Sequence, residues 1–321
     1  MAEVFRVLLQ RSLSAGWLVI AVIAFRLVFP KMPGWLRTSL WGMIGIRLIL
    51  PVLPDSGIHF PVNEIITAAA IRPVTEGSGK IWMLTGTVWA MGVVGIWIYE
   101  AVCAGALHRR LKTAVRFSEN VFQSEWAKNP FAAGIFSPRI YVPFHLDEQT
   151  RKNVIAHERA HGKRMDPLWK FLAFAVWSVY WFHPLLWLAY VLFCEDLEFA
   201  CDDSVMKKMT EAQRAEYAQS LLRCSVNKKS GTVFAVSFGG NNVKKRIQHI
   251  LTYQKAGRFT VTVSAFALVL FAAISLTEPK HMERKPDTWR AEGNAEVQTS
   301  IELEGEILRY RILDFEQVKA K

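Results

Sequence analysis

The sequence predicts a mainly α membrane protein, in which four transmembrane helices carry a cytoplasmic α+β domain with a metal-binding helix. Three observations lead there. The chain of 321 residues is 51% hydrophobic, with 12 Trp and 20 Phe, yet it carries 39 Lys+Arg against 28 Asp+Glu. Its apolar and basic residues fall in separate stretches, as in a membrane protein with a basic aqueous part. The segment His157-Glu158-Arg159-Ala160-His161 sets two imidazoles four residues apart around a carboxylate.

A spanning helix needs about 20 mostly apolar residues, and four stretches approach that. The first covers residues 4–29, centred on Trp17-Leu18-Val19-Ile20-Ala21-Val22-Ile23-Ala24-Phe25. Arg6 and Arg11 near its start resemble a signal-peptide flank, but no small-residue cleavage site follows, so it reads as an uncleaved helix. The second, residues 35–53, contains Arg47. A cation at membrane depth is a functional candidate by default, with snorkelling or pairing inside the bundle as the plainer reading. The third, residues 81–107, carries Gly86, Gly92 and Gly95, which suit close helix contact. The fourth, residues 259–276, is barely long enough to span.

Lys and Arg near the helix ends set the orientation. The first connection carries Arg26, Lys31 and Arg37, whereas the second, residues 54–79, has Arg72 against Asp55, Glu64 and Glu76. Residues 108–258 hold 23 basic and 13 acidic residues; residues 277–321 hold 8 basic and 10 acidic. This alternation puts the N-terminus outside, the first connection and residues 108–258 in the cytoplasm, and the tail outside. Positive-inside bias and attraction to anionic lipid account for the net +11. Without a zinc-finger, RNP-like or helix-turn-helix pattern, no direct nucleic-acid contact is expected. Cys103, Cys194, Cys201 and Cys224 form no CxxC and are expected as reduced thiols.

Within the cytoplasmic part, residues 108–122 read as a basic helix continuing out of the membrane. Residues 129–143 read as turn, strand, turn, strand. That pair offers an edge on which a peptide substrate adds a strand, or it is a small structural hairpin. Residues 168–193 are apolar and broken by His183-Pro184. A single extra span there would put Glu198 and His157 on opposite sides of the bilayer, so a buried or re-entrant hairpin is the consistent solution. His183 is either a fourth metal or oxyanion group or, as is commoner for a lone His, a core residue. Residues 204–224 read as helix, and residues 243–251 as an amphipathic basic helix. The tail alternates weakly over residues 297–303 and 307–315, a small hairpin or a segment disordered without a partner.

The chemistry concentrates on two segments. On a helix, His157 and His161 share one face about 6 Å apart along the axis, so both can bind one tetrahedral Zn²⁺. Glu158 is placed to take a proton from the attacking water. A catalytic zinc takes three protein ligands, and Glu198 can complete a His₂Glu set. Asp202, one turn later, is placed to accept the free N–H of a ligand histidine.

These residues resemble the BlaR/MecR-type membrane metallopeptidases, antirepressors of beta-lactam resistance. The resemblance covers residues 1–276. It rests on Trp41…Arg47-Leu48…Leu50-Pro51, on Gly134…Pro138-Arg139-Ile140-Tyr141-Val142-Pro143, and on the 157–161 pentad followed by Asp166. Trp181-Phe182-His183-Pro184-Leu185-Leu186-Trp187, Glu198-Phe199-Ala200-Cys201-Asp202 and Lys245-Arg246-Ile247…Ile250-Leu251 complete it. It implies a gluzincin-type cytoplasmic domain on four spans, with His157, His161 and Glu198 as zinc ligands and Glu158 as general base. It also implies cleavage of the chain itself, a winged-helix repressor or both; the further partners expected are the bilayer and a second copy of the chain. The penicillin-binding sensor domain of the full receptors is not expected in the 45 residues after Leu276. Two rival readings share part of the pattern: a quality-control endopeptidase resembling the HtpX type, and a non-catalytic signalling protein whose zinc is structural or absent.

Overall fold

The computed structural model describes residues 1–30, 32–49, 55–56, 79–226, 239–254, 257–275 and 278–279. The expected ends of the second and fourth spans and the alternating tail segments 297–303 and 307–315 lie outside these residues. The described part is mostly helical: α1 (Ala2–Val28), α2 (Gly34–Ile49), α3 (Gly79–Leu111), α4 (Glu148–Lys163), α5 (Asp166–Val179), α6 (Pro184–Met206), α7 (Glu211–Val226), α8 (Gly239–Leu251) and α9 (Arg258–Ser275). Between α3 and α4 lie strands β1 (Val115–Ser118), β2 (Val121–Gln123), β3 (Phe131–Ala133) and β4 (Arg139–Val142).

Among the described residues, two helices, α1 and α3, are long and apolar enough to cross a membrane by length and composition. In α3 only Gly86 and Glu100 are buried, while Ile81, Met83, Leu84, Met91 and Val102 are each at least 59% exposed. A 33-residue helix apolar on all sides and this bare matches lipid contact better than water contact. The shorter α2 and α9 hold 16 and 18 residues.

One apolar core joins α1 and α2 to the α5–α6 hairpin, through Leu18, Val22, Leu36, Leu40 and Ile44 against Tyr180, Leu186 and Ala189. The chain reverses between α5 and α6 at residues 180–183, where Pro184 supplies the first position of α6. Tyr180 Oη donates to Leu48 O at 3.0 Å. Indole N–H groups pin α3 to the same turn: Trp89 donates to Val179 O at 2.8 Å and Trp97 to Ser178 Oγ at 3.1 Å. Of the three glycines expected at close contacts, Gly92 lies under the Trp181 indole and Gly86 against the Met1–Ala2 backbone, while Gly95 faces open space.

Residues 108–122 do not form one helix. The chain leaves α3 at Leu111, and β1 and β2 make an antiparallel hairpin around residues 118–121. The alternation Val115-Arg116-Phe117 and the turn formers Ser118-Glu119-Asn120 outweigh the basic flank that suggests a helix. The expected pair of strands is present as β3 and β4, with Phe131 opposite Tyr141 and Gly134 at φ +113 in the turn. All four strands form one sheet ordered β1-β2-β4-β3, with β2 and β4 parallel. Its buried face, Val121, Ile140 and Val142, packs on Ile155 of α4. Residues 204–224 are also not one helix: α6 ends at Met206, and Thr210 caps α7 reciprocally with Gln213.

At the α1–α2 corner, Gly34 lies so close to α6 that a Cβ there would sit 2.5 Å from Ala200 Cα. Gly34→Ala should therefore destabilise the chain by about 1–3 kcal/mol, read as a lower thermal midpoint in detergent. Gly45→Ala, which meets nothing within 4 Å, should not lower it.

Candidate metal centre

Helix α4 begins at Asp147, whose side chain accepts from Thr150 N, and presents His157 and His161 one turn apart on its buried face. Its end is tight. Met165 adopts φ 57, a left-handed conformation that costs a non-glycine residue about 1 kcal/mol. The turn brings Asp166 under His161, with Asp166 Oδ2 2.7 Å from His161 Nδ1. Helix α6 then returns along the hairpin and delivers Glu198, Cys201 and Asp202 to the same place.

Three atoms meet there. His157 Nε2 and His161 Nε2 are 3.1 Å apart, and Glu198 Oε2 is 3.5 Å from each. Ligands about 2.0–2.1 Å from a tetrahedral zinc stand about 3.3–3.4 Å from one another, so this triangle fits one such ion. Hydrogen bonding orients both rings. Tyr217 Oη lies 2.8 Å from His157 Nδ1 and donates its proton to Asp202 Oδ1 at 2.7 Å. Tyr217 therefore accepts from His157 Nδ1–H, which turns Nε2 toward Glu198. Asp166 is an acceptor for His161 Nδ1–H, with the same result.

A second grouping overlaps the first: donor atoms of His157, His161 and Cys201 lie within 4.8 Å of one another. The Cys201 thiol, however, contacts His157 at Nδ1, 3.6 Å away, and at its backbone carbonyl, 3.5 Å away. The edges at the Nε2 side match zinc more closely, and they include an anion. Burial opposes charge on Glu198, but Lys170, His161 and Arg246 outweigh it and hold the carboxylate well below its usual range. Burial likewise opposes a proton on His157, yet Cys201 and Glu198 raise it to about 9. Cations thus keep Glu198 an anion, and the thiol and carboxylate beside His157 favour a positive charge on that ring.

Asp202 reaches His157 Nδ1 at 3.4 Å, as expected from its spacing after Glu198, but the closer partner is the Tyr217 hydroxyl. Glu158, next to His157, is half-buried and forms no ion pair with another described residue. His183 is not brought to the triangle: it occupies the N-cap position of α6 beside Gly16, about 22 Å along the helix from Glu198. It is a buried residue of the helical core. Three residues in direct contact with the site were not singled out as site residues by sequence. Lys170 Nζ donates to Glu198 Oε1 at 3.0 Å, Tyr217 binds as above, and Arg246 Nη1 stands 3.1 Å from Glu198 Oε2. The Lys245-Arg246-Ile247 motif was a signal for Arg246, whereas Lys170 and Tyr217 sit in stretches that read as apolar hairpin and ordinary helix.

Two buried histidines with a carboxylate and a thiol beside them form a candidate metal centre with the ligand types a metallopeptidase uses. The signature of the family described as BlaR1 peptidase M56 matches residues 6–250, and the chain belongs to that family. It is 30% identical over 185 residues to the Regulatory protein BlaR1 of Bacillus licheniformis, covering 54% of this chain and 30% of that protein. It is 25% identical over 134 residues to the Methicillin resistance mecR1 protein of Staphylococcus aureus (strain Mu50 / ATCC 700699), covering 39% and 23%. The matched region is thus less than a third of each relative's length.

Asp166→Asn and Tyr217→Phe should each weaken zinc binding about 10- to 100-fold while the helical content is kept. Competition against a chromophoric chelator measures this. Unchanged affinity in both variants would show that these contacts do not orient the imidazoles.

Proposed function

We propose that the chain is a membrane-embedded zinc endopeptidase of the antirepressor type, with His157, His161 and Glu198 as ligands and Glu158 as general base. The observation that carries the reading is the Nε2–Nε2–Oε2 triangle, with edges of 3.1, 3.5 and 3.5 Å. Family membership supports peptidase chemistry, and the relatives' names, a regulatory protein and a methicillin-resistance protein, support a signalling role. Four spans (α1, α2, α3 and α9) hold the gluzincin-type domain of residues 108–258 on the cytoplasmic side, with the tail outside. The α5–α6 hairpin lies within the membrane-associated core.

Zn²⁺ at the triangle supplies Lewis-acid activation of a water and of the scissile carbonyl. The remaining work falls to side chains. Asp166 and the Tyr217–Asp202 pair keep both imidazoles in the Nδ1–H tautomer. Lys170 holds the other oxygen of Glu198 and fixes the carboxylate's orientation. Glu158 takes the water's proton and passes it to the leaving amine. Strand β3 is the sheet edge beside α4, and an extended substrate adds to it through backbone hydrogen bonds. The substrate is a cytoplasmic protein, either this chain itself or a winged-helix repressor.

Glu158→Gln should retain zinc and lose cleavage by at least about 100-fold. Comparing the cytoplasmic proteomes of wild-type and Glu158→Gln cells, with and without cell-wall stress, should yield a repressor fragment in the wild type alone. A variant that cleaves as well as wild type would contradict the assignment of the base.

A further inference from the structure

Arg246 has a position that its structural contacts do not fully explain. Its Nε and Nη2 donate to Asp202 Oδ2 and Oδ1, each at 2.8 Å, which locks the guanidinium plane. The outer edge then lies on the triangle. Nη1 is 3.1 Å from Glu198 Oε2 and Nη2 is 3.2 Å from His157 Nε2. An ion held by His157 takes the single Nε2 lone pair that Nη2 faces, while the Glu198 and Asp202 carboxylates still accept from the guanidinium. The Nη2 hydrogen turned toward His157 then needs another acceptor. Three protein ligands leave a catalytic zinc one open position for substrate oxygen. Access agrees with this: Arg246 and Glu198 side chains are 13% and 21% exposed, against 5% and 8% for His157 and His161.

We propose that Arg246 is a catalytic residue whose Nη1–Nη2 edge donates to the oxyanion that forms on the scissile carbonyl. The proposal rests on the zinc-endopeptidase reading. Water attacks the carbonyl carbon and forms the new C–O bond, its proton going to Glu158 as the carbonyl π pair moves onto oxygen. That negative charge develops against Arg246, which stays protonated throughout. Collapse returns the pair, breaks the C–N bond and delivers the Glu158 proton to the amine. Lys170 differs in kind, because it touches Oε1, the Glu198 oxygen turned away from the triangle. It positions the ligand and does not face the reacting carbonyl.

The test uses full-length, zinc-loaded protein in detergent micelles and two probes titrated by calorimetry. N-phosphoryl-Leu-Trp carries a tetrahedral anion that mimics the transition state, and N-formyl-Leu-Trp is its planar counterpart. Wild type should prefer the phosphoryl compound. Arg246→Lys and Arg246→Gln should keep stoichiometric zinc and the same formyl affinity, and weaken the phosphoryl compound about 100-fold. Lys245→Gln, on the same helix as Arg246 but paired with Glu195 away from the triangle, should keep the preference. The proposal is overturned by equal weakening of both probes, by tighter phosphoryl binding in the Arg246 variants, or by zinc loss in both. It is also overturned by loss of the preference in Lys245→Gln, or by its absence in wild type. A wild type that holds no zinc would instead refute the underlying reading, and the proposal with it.

Discussion

One carboxylate oxygen has to meet two imidazole nitrogens that lie on a different helix, and the rest of the structure serves that meeting. Glu198 follows His161 by a whole helical hairpin, so α6 must leave the apolar bundle and end beside α4. Its two faces divide the work. Glu198, Cys201 and Asp202 face the candidate centre. On the other face, Asp196 is fully buried and receives Arg26 Nη2 and Trp41 Nε1, each at 2.7 Å. Asp203 Oδ2 accepts Gly34 N at 3.0 Å, and His249 Nε2 stands 2.7 Å from Asp203 Oδ1. The α1–α2 corner thus fixes the height and rotation of the helix that carries Glu198. Removing one partner of such a buried pair leaves an uncompensated charge, typically a loss of about 3–5 kcal/mol.

Charge balance explains how so many acids coexist near the two imidazoles. Asp166, Glu198 and Asp202 are each matched by a cation or an N–H donor from a different element. Arg246 serves two of them at once, which draws α8 onto α6. Lys245 to Glu195, at 2.8 Å, extends the same contact. The centre is therefore assembled from α4, α5, α6, α7 and α8 together, although only α4 and α6 carry the proposed ligands. The apolar exterior of α3 and the indole bonds that join it to the α5–α6 turn link this aqueous assembly to the bundle.

Much of this was legible in the residue pattern. The pentad and the Glu198…Asp202 spacing gave one helical face each, because a period of 3.6 is a local property. The break at His183-Pro184 in an apolar stretch predicts the hairpin, since a straight span would separate the acids from the histidines. Tyr217 and Lys170 were not legible, because their roles depend on how α5 and α7 pack against the site and not on local period. The β1–β2 hairpin was missed because the basic run beside a spanning helix outweighed, in the reading, the short alternation at residues 115–117 and the turn formers after it, which pairing of β2 with β1 and β4 rewards. Tyr217 also refines the reading of Asp202, which supports His157 mainly through that hydroxyl.

Zinc K-edge X-ray absorption of the metal-loaded, full-length protein tests the central arrangement most directly. Coordination by His157, His161 and Glu198 predicts only nitrogen and oxygen neighbours at about 2.0–2.1 Å, with the multiple-scattering pattern of two imidazoles. A sulfur neighbour at about 2.3 Å would transfer the ligand role from Glu198 to Cys201, and would contradict the triangle on which the account rests.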